Sequence, residues 1–243
     1  MDLFKWELRQ MFRTKAFWFI GFSFLALTCL FYVEPLIKGG TGGYELFITL
    51  CNDFGSLSLI FTAIFAGLHV TGAFEDRRMQ AAVMAGNSRA KVLFAKFASF
   101  ITAITLFFTV SVAVPATVGF IRFGTACEDG SFLRCVVARG LLCLAAVISS
   151  GTVCFIISMF CKKPGIAVIV NFLSMSLINF ATQYIAGKEW GMDVLKYLPE
   201  GQRMLIMGDM SNKNSVLALS VFAAFAVLVF AASYAKFRKE ELK

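Results

Sequence analysis

The chain has 243 residues, 58% of them hydrophobic and only 16% charged. Soluble domains carry roughly 45–50% apolar and about 25% charged residues, so a sizeable water-soluble domain is excluded and an all-α, polytopic membrane protein is predicted. The net charge of +8 reads as an orientation signal rather than a nucleic-acid footprint, because basic residues of such chains collect on the cytoplasmic side.

The first 14 residues form an amphipathic segment. Phe4, Leu8, Met11 and Phe12 follow i, i+4, i+7, i+8 spacing, with Lys5, Arg9 and Arg13 on the adjoining face. This predicts a helix lying in the membrane interface, apolar side in the acyl region and basic side toward anionic headgroups; a plain basic flank that orients the first span is the simpler alternative. The apolar run that follows lacks a small-residue cleavage site, so it reads as a span rather than a secretory signal.

Six spans are predicted in one transmembrane domain over 1–243, at about 16–33, 54–74, 97–120, 136–160, 165–186 and 216–234, each near the roughly 20 residues that cross a bilayer. With both termini in the cytoplasm, 15 of the 23 basic and six of the 15 acidic residues fall inside, giving +9 against −1 outside. This asymmetry selects that orientation.

The loop between spans two and three, "FEDRRMQAAVMAGNSRAKVLFAK", is the longest inner one. Asp76 is expected to cap a helix running from Arg77 to about Ala85, Gly86 to stop it, and Asn87 and Ser88 to cap the next. Its centre is small and apolar with methionines, and Gln80 is assigned to its solvent side. The residues alone leave two readings open: an interfacial helix resting on lipid, or a knob that docks into a groove on a soluble partner. On the other side of the membrane, the connection 187–215 carries Trp190, Leu195, Tyr197, Leu198, Leu205 and Ile206 among charges. It is expected to form short helices dipping to the outer interface, with Pro199 and Gly201 between them.

Asn171, Asn179 and Gln183 lie in the fifth span, where amides need partners. They read as helix–helix glue or as lining for a substrate path. Asn52 and Asp53 cap the second span if it begins at Phe54; if the span begins at Leu46, Asp53 is an intramembrane acid and a path candidate. The small residues Ala145 to Gly151 offer a close-packing surface in the fourth span. His69 has no visible chemical partner. Seven cysteines cannot form a complete disulfide set, although Cys127 and Cys135 could bridge outside the membrane.

With these residues placed, the chain resembles the permease subunits of ABC-2 type transporters over nearly its whole length. The likeness is sharpest from Asp53 to Phe97, where an acidic-aromatic exit (Phe74, Glu75), a short helix and a Gly86-Asn87-Ser88-Arg89 turn follow one another. The family's usual Gly-Thr is replaced by Arg77-Arg78. The resemblance implies an N-terminal elbow helix and a cytoplasmic coupling helix. Glu75, Arg77, Arg78, Gln80, Val83, Met84, Gly86, Ser88 and Arg89 would meet a separate ABC ATPase. It implies two permease copies, with spans one, two and five lining the path and the outer helices capping the exit. ATP and Mg would sit on the partner, with no cofactor, metal or catalytic residue on this chain. The cargo implied is an amphipathic or toxin-like peptide, as for phenol-soluble modulin exporters and lantibiotic immunity permeases, and the location is a bacterial plasma membrane.

Two further classes are weighed. A substrate-capture subunit or ion-coupled carrier without a dedicated ATPase would want central charges and repeated halves, neither of which is visible. An intramembrane hydrolase would want an acid, Ser–His or metal cluster, and no such motif is present.

Overall fold

The computed structural model describes residues 3–38, 42–124, 132–188, 190–208 and 212–239, and all regular structure among them is helical. The helices are α1 (Leu3–Arg13), α2 (Lys15–Lys38), α3 (Gly43–Ala66), α4 (Gly72–Glu75), α5 (Arg78–Met84), α6 (Arg89–Phe123), α7 (Phe132–Phe160), α8 (Pro164–Ala186), α9 (Gly191–Leu195), α10 (Pro199–Gly208) and α11 (Asn212–Lys239). A π-turn over Gly67–Thr71 joins α3 to α4. Five stretches are long and apolar enough to cross a bilayer: Lys15–Val33, Arg89–Phe123, Cys135–Phe160, Pro164–Ala186 and Asn214–Arg238. The chain is an all-helical, multi-pass membrane protein.

α3 packs against α6, α7 and α8; α2 lies along α6, and α11 along α7 and α10. One end of the bundle, the base, gathers α1, α5, the start of α6, the α7–α8 turn and the end of α11. Arg89 at the start of α6 donates to the Phe237 and Arg238 carbonyls, and Lys236 sits 5.3 Å from the Phe160 ring centroid. The opposite end, the crown, gathers the end of α2, the start of α3, the end of α6 and α9–α10; there Arg122 donates to the Ile37 carbonyl at 3.3 Å.

Phenylalanine makes much of the core. Phe65 stacks on Phe100 with centroids 6.1 Å apart, and Phe97 meets Phe155 edge-on at 5.1 Å, arrangements that suit the ring quadrupole. The predicted small-residue surface on α7 is used as expected. Ala146, Ser149 and Ser150 are buried, and a Cβ on Gly151 would stand 2.9 Å from Ile104 Cδ1 and 3.1 Å from Thr62 Cγ2. By contrast α8 turns Ile169, Leu173, Leu177 and Phe180 outward, and α11 turns out Val227 and Leu228.

Several boundaries differ from expectation for local reasons. α3 starts at Gly43, well before Phe54, because Leu46, Phe47, Leu50 and Cys51 bury one helical face and Glu45 accepts the Gly42 N–H at 3.3 Å. Asn52 and Asp53 therefore lie inside the helix rather than at its start; their side chains lie outside the described residues, as does Cys127. α6 begins at the Ser88 cap rather than at Phe97 and runs unbroken past Pro115, although this proline removes the N–H that the Ser111 carbonyl would accept. At 35 residues it is about 52 Å long. Pro199 and Gly201 do not separate two helices. Pro199 opens α10 and Gly201 lies within it, where a Cβ would collide with the Leu195 carbonyl.

Candidate functional site

The base loop folds as one small unit. Asp76 does not cap α5: Arg77 takes that place with φ 55, and Asp76 instead pairs with Arg78 Nη2 at 2.9 Å. The left-handed turn at Arg77 is a conformation glycine adopts without strain, so an arginine here carries a backbone cost. Gly86, at φ 91, ends the helix as expected. Asn87 turns back and donates from Nδ2 to the Ala82 carbonyl at 3.0 Å, while Ser88 Oγ accepts the Lys91 N–H at 3.4 Å. Asn87 thus closes α5 and Ser88 alone caps α6.

The same geometry sorts the predicted coupling residues. Met79 is buried, Ala82 and Val83 rest against the core, and Met84 stands 83% exposed beside exposed Ala81 and Ala85. Val83 and Met84 therefore face different ways. Gln80 is not on the solvent side, as its Oε1 is buried, with no hydrogen-bond partner among the described residues. Glu75 and Arg77 are exposed at the loop's entrance. Arg78 is half-buried, and its Nη1 donates to Gln10 Oε1 of α1 at 3.2 Å. Arg89 Nη1 donates to the Phe237 carbonyl at 3.2 Å and the Arg238 carbonyl at 2.7 Å, meeting carbonyls that the last turn of α11 leaves without intrahelical donors. The loop is thus tied to α1, α6 and α11.

α1 is docked as well as amphipathic. Leu3, Glu7 and Met11 recur every fourth residue, and Glu7 and Met11 are buried against the bundle. Glu7 Oε2 pairs with Lys96 Nζ of α6 at 3.0 Å, both side chains being almost wholly buried. Lys96, expected as an inner basic flank, is therefore an interior ion-pair partner. The same helix edge is capped by polar contacts. Ser99 donates to the Lys96 carbonyl at 2.8 Å, and His69 Nε2 lies 3.0 Å from Ser99 Oγ, stacked on Phe65. The tautomer with hydrogen on Nε2 fits this arrangement.

Asn171 acts as glue: fully buried, it donates from Nδ2 to Ser158 Oγ at 2.8 Å and to the Ala63 carbonyl at 3.4 Å, and Thr71 of the π-turn donates to the Ser158 carbonyl at 2.8 Å. This set joins α3, α7 and α8. Asn179 and Gln183 lie apart from it. Gln183 donates to Asn179 Oδ1 at 3.3 Å, and both stand where the packed face of α8 meets its open face.

The crown holds charges that the sequence placed at the membrane surface. Glu200 and Arg203 are buried and paired at 2.9 Å, and Ser150 donates to Glu200 Oε1 at 2.7 Å. Arg139, also buried, lies 5.6 Å over the Tyr44 ring. α10 is therefore tucked against α7. At its edge, the Asp193 carboxylate 3.0 Å away holds the Lys196 ammonium above its ordinary 10.5.

A family model described as "Protein of unknown function (DUF2705)" matches residues 10–242. The chain belongs to the DUF2705 family. No curated protein matches it. The DUF2705 match takes in the base loop, the Asn171 set and the crown pair, and it begins within α1, three residues beyond Glu7. The signal for the Glu7–Lys96 pair was present in this DUF2705 chain: an acid in register between Leu3 and Met11 on an apolar stripe. Nothing comparable marks Glu200 and Arg203 as a buried pair, since their stretch reads as short helices at the outer interface.

Proposed function

We propose that this chain is the membrane subunit of an ATP-driven ABC-2 type exporter, working as two copies with a separate cytoplasmic ATPase. The observation that carries the reading is the base loop. α5 and its end present Ala81, Met84 and Ala85 outward, while Arg78 bonds it to α1, Met79, Ala82 and Val83 seat it against the core, and Arg89 just beyond it holds the head of α6 to α11. A short helix that offers an apolar tip while its other face is held by α1 and α6 suits the transfer of motion from a partner better than rest on lipid. In this reading the helical run Gly43–Glu75 supplies a further span, for six in all, and both termini face the cytoplasm of a bacterial cell. The open face of α8, edged by Asn179 and Gln183, would meet the second copy or the path between copies. The cargo class is an amphipathic peptide. ATP and Mg would belong to the ATPase, and no step of chemistry would fall to this chain.

Met84→Asp tests it. A carboxylate driven into an apolar pocket on the partner costs several kcal/mol, and each 1.4 kcal/mol is tenfold in affinity. The ATPase should fail to copurify and export should stop, while the bundle stays folded. Lys162→Glu, at the α7–α8 turn of the same end, serves as the charge control. Full ATPase complement and normal export in Met84→Asp would refute the coupling role.

A further inference from the structure

We propose that the elbow between α1 and α2 is a site for one anionic phospholipid, held by its headgroup on α1 and by an acyl chain between α2 and α6. A cleft of about 260 Å³ runs along this elbow, walled by Phe12, Trp18, Phe107 and Val110, with Gly21 as its floor. A Cβ on Gly21 would stand 3.1 Å from the Phe107 ring, so the glycine keeps the floor low. The walls are set before any ligand arrives. Phe12 and Phe17 meet edge-on at 5.1 Å, Phe17 and Trp18 at 5.5 Å, and Trp18 Nε1 donates to the Phe12 carbonyl at 2.8 Å. Around the corner of α1 lies a second, polar hollow of about 390 Å³, lined by Trp6, Arg9, Gln10, Arg13 and Thr14. Arg13 and Thr14 of the hollow follow Phe12 of the cleft directly in the chain.

The two hollows ask for different chemistry. Arg9 and Arg13 are exposed, and neither is paired with a carboxylate among the described residues. Arginine forks match phosphate oxygens in pairs. The cleft is apolar and opens beside exposed Phe19 and Phe22, where hydrocarbon is at hand. A soluble anion would satisfy the arginines and leave the cleft to others. A zwitterionic lipid would fill the cleft and cancel its own phosphate charge. An anionic phospholipid satisfies both, and an amphipathic helix at headgroup depth is where it would be met. The site needs α1 at that depth and does not depend on what the protein exports or on an ATPase.

Native mass spectrometry of the full chain in detergent tests this, with dioleoyl phosphatidylglycerol and dioleoyl phosphatidylcholine as probes. Wild type should retain one phosphatidylglycerol at least tenfold more tightly than phosphatidylcholine. A basic residue near an anionic lipid is worth about fivefold, so Arg9→Gln with Arg13→Gln should weaken phosphatidylglycerol about 25-fold and leave phosphatidylcholine unchanged. Val110→Trp fills the cleft from its exposed side and should expel the lipid with both arginines intact. Lys5→Gln, on α1 outside both hollows, should bind as wild type. The two arms act on different parts of the site, so either stands if the other variant fails to fold. Equal affinity for the two lipids, unchanged binding in the arginine pair or in Val110→Trp, or a loss in Lys5→Gln equal to that of the arginines would overturn the site. Displacement of the lipid by stoichiometric inorganic phosphate would make it a phosphate site and overturn it too.

Discussion

Replacing Lys96 by Met removes one half of a buried ion pair and leaves Glu7 charged among apolar neighbours. At 3.0 Å the attraction between the two charges is about 5–6 kcal/mol at an effective dielectric of about 20, before the cost of taking both from water is set against it. Breaking such a pair on one side destabilises by about 3–5 kcal/mol, whereas exchanging both members for apolar residues of similar volume is neutral or stabilising. A change of 1 kcal/mol moves the midpoint by about 2–4 °C in a chain of this size, so Lys96→Met should lower it by roughly 6–20 °C. Glu7→Leu combined with Lys96→Met should return to wild type or above it. Thermal unfolding of the detergent-solubilised protein, followed by tryptophan fluorescence, gives the midpoints, and limited trypsin digestion at Arg9 and Arg13 reports whether α1 comes away first. A Lys96→Met midpoint within two degrees of wild type, or a double variant as damaged as the sum of the singles, would refute the claim that this pair fixes α1 to α6.

Arg89→Gln should loosen the end of α11 by about 1–3 kcal/mol, because the carbonyls of Phe237 and Arg238 lose a charged donor; hydrogen exchange confined to the last turns of α11 would register it. Arg77→Gly should be neutral or stabilising by about 1 kcal/mol, since the left-handed turn at φ 55 costs an arginine and not a glycine; a lower unfolding midpoint would contradict this. Asn171→Leu should cost about 0.6–2 kcal/mol by stripping Ser158 and the Ala63 carbonyl of their donor, read as a fall in the same midpoint. A cysteine at position 84 should react with an impermeant maleimide only after the membrane is opened. Cys161, at the neighbouring turn, should react more slowly than a free thiol because partial burial holds it above its ordinary 9.0. Labelling of position 84 from outside intact cells would refute the proposed orientation.

The long apolar runs announced the spanning helices, and Gly86 and Ser88 announced where α5 stops and α6 starts, because helix-ending chemistry is local. Asp76 misled for an equally local reason: its carboxylate found Arg78 two residues on before it found a backbone donor. What the sequence did not disclose are contacts between distant segments. Glu7 and Lys96 are 89 residues apart; the apolar stripe around Glu7 hints that it is buried, but nothing local says which cation it meets. Glu200 and Arg203 sit in a stretch that reads as short helices at the outer interface, and only the packing of α10 on α7 puts their side chains inside. The π-turn at Gly67–Thr71 left no periodic trace, since one widened turn shifts the apolar stripe no more than ordinary scatter does. Among the amides, Asn171 was separable from Asn179 and Gln183 only once α7 was in place to offer Ser158.

α6 outreaches the hydrocarbon it crosses. A bilayer core is about 30 Å thick, and about 52 Å of continuous helix runs from the Ser88 cap at the base to Gly124 at the crown. The rod is continuous, with Pro115 as the one interior proline that loosens its ladder among the described residues. A tilt of about 10° pivoting at the Lys96 end would sweep the Phe123 end sideways by some 7 Å, estimated from the helical rise of the 27 residues between them. The crown residues it carries, Gly119 and Phe120 against Leu46 and Phe47, would have to repack or travel together with it, so the width of any opening at the crown is geared to the angle set at the base.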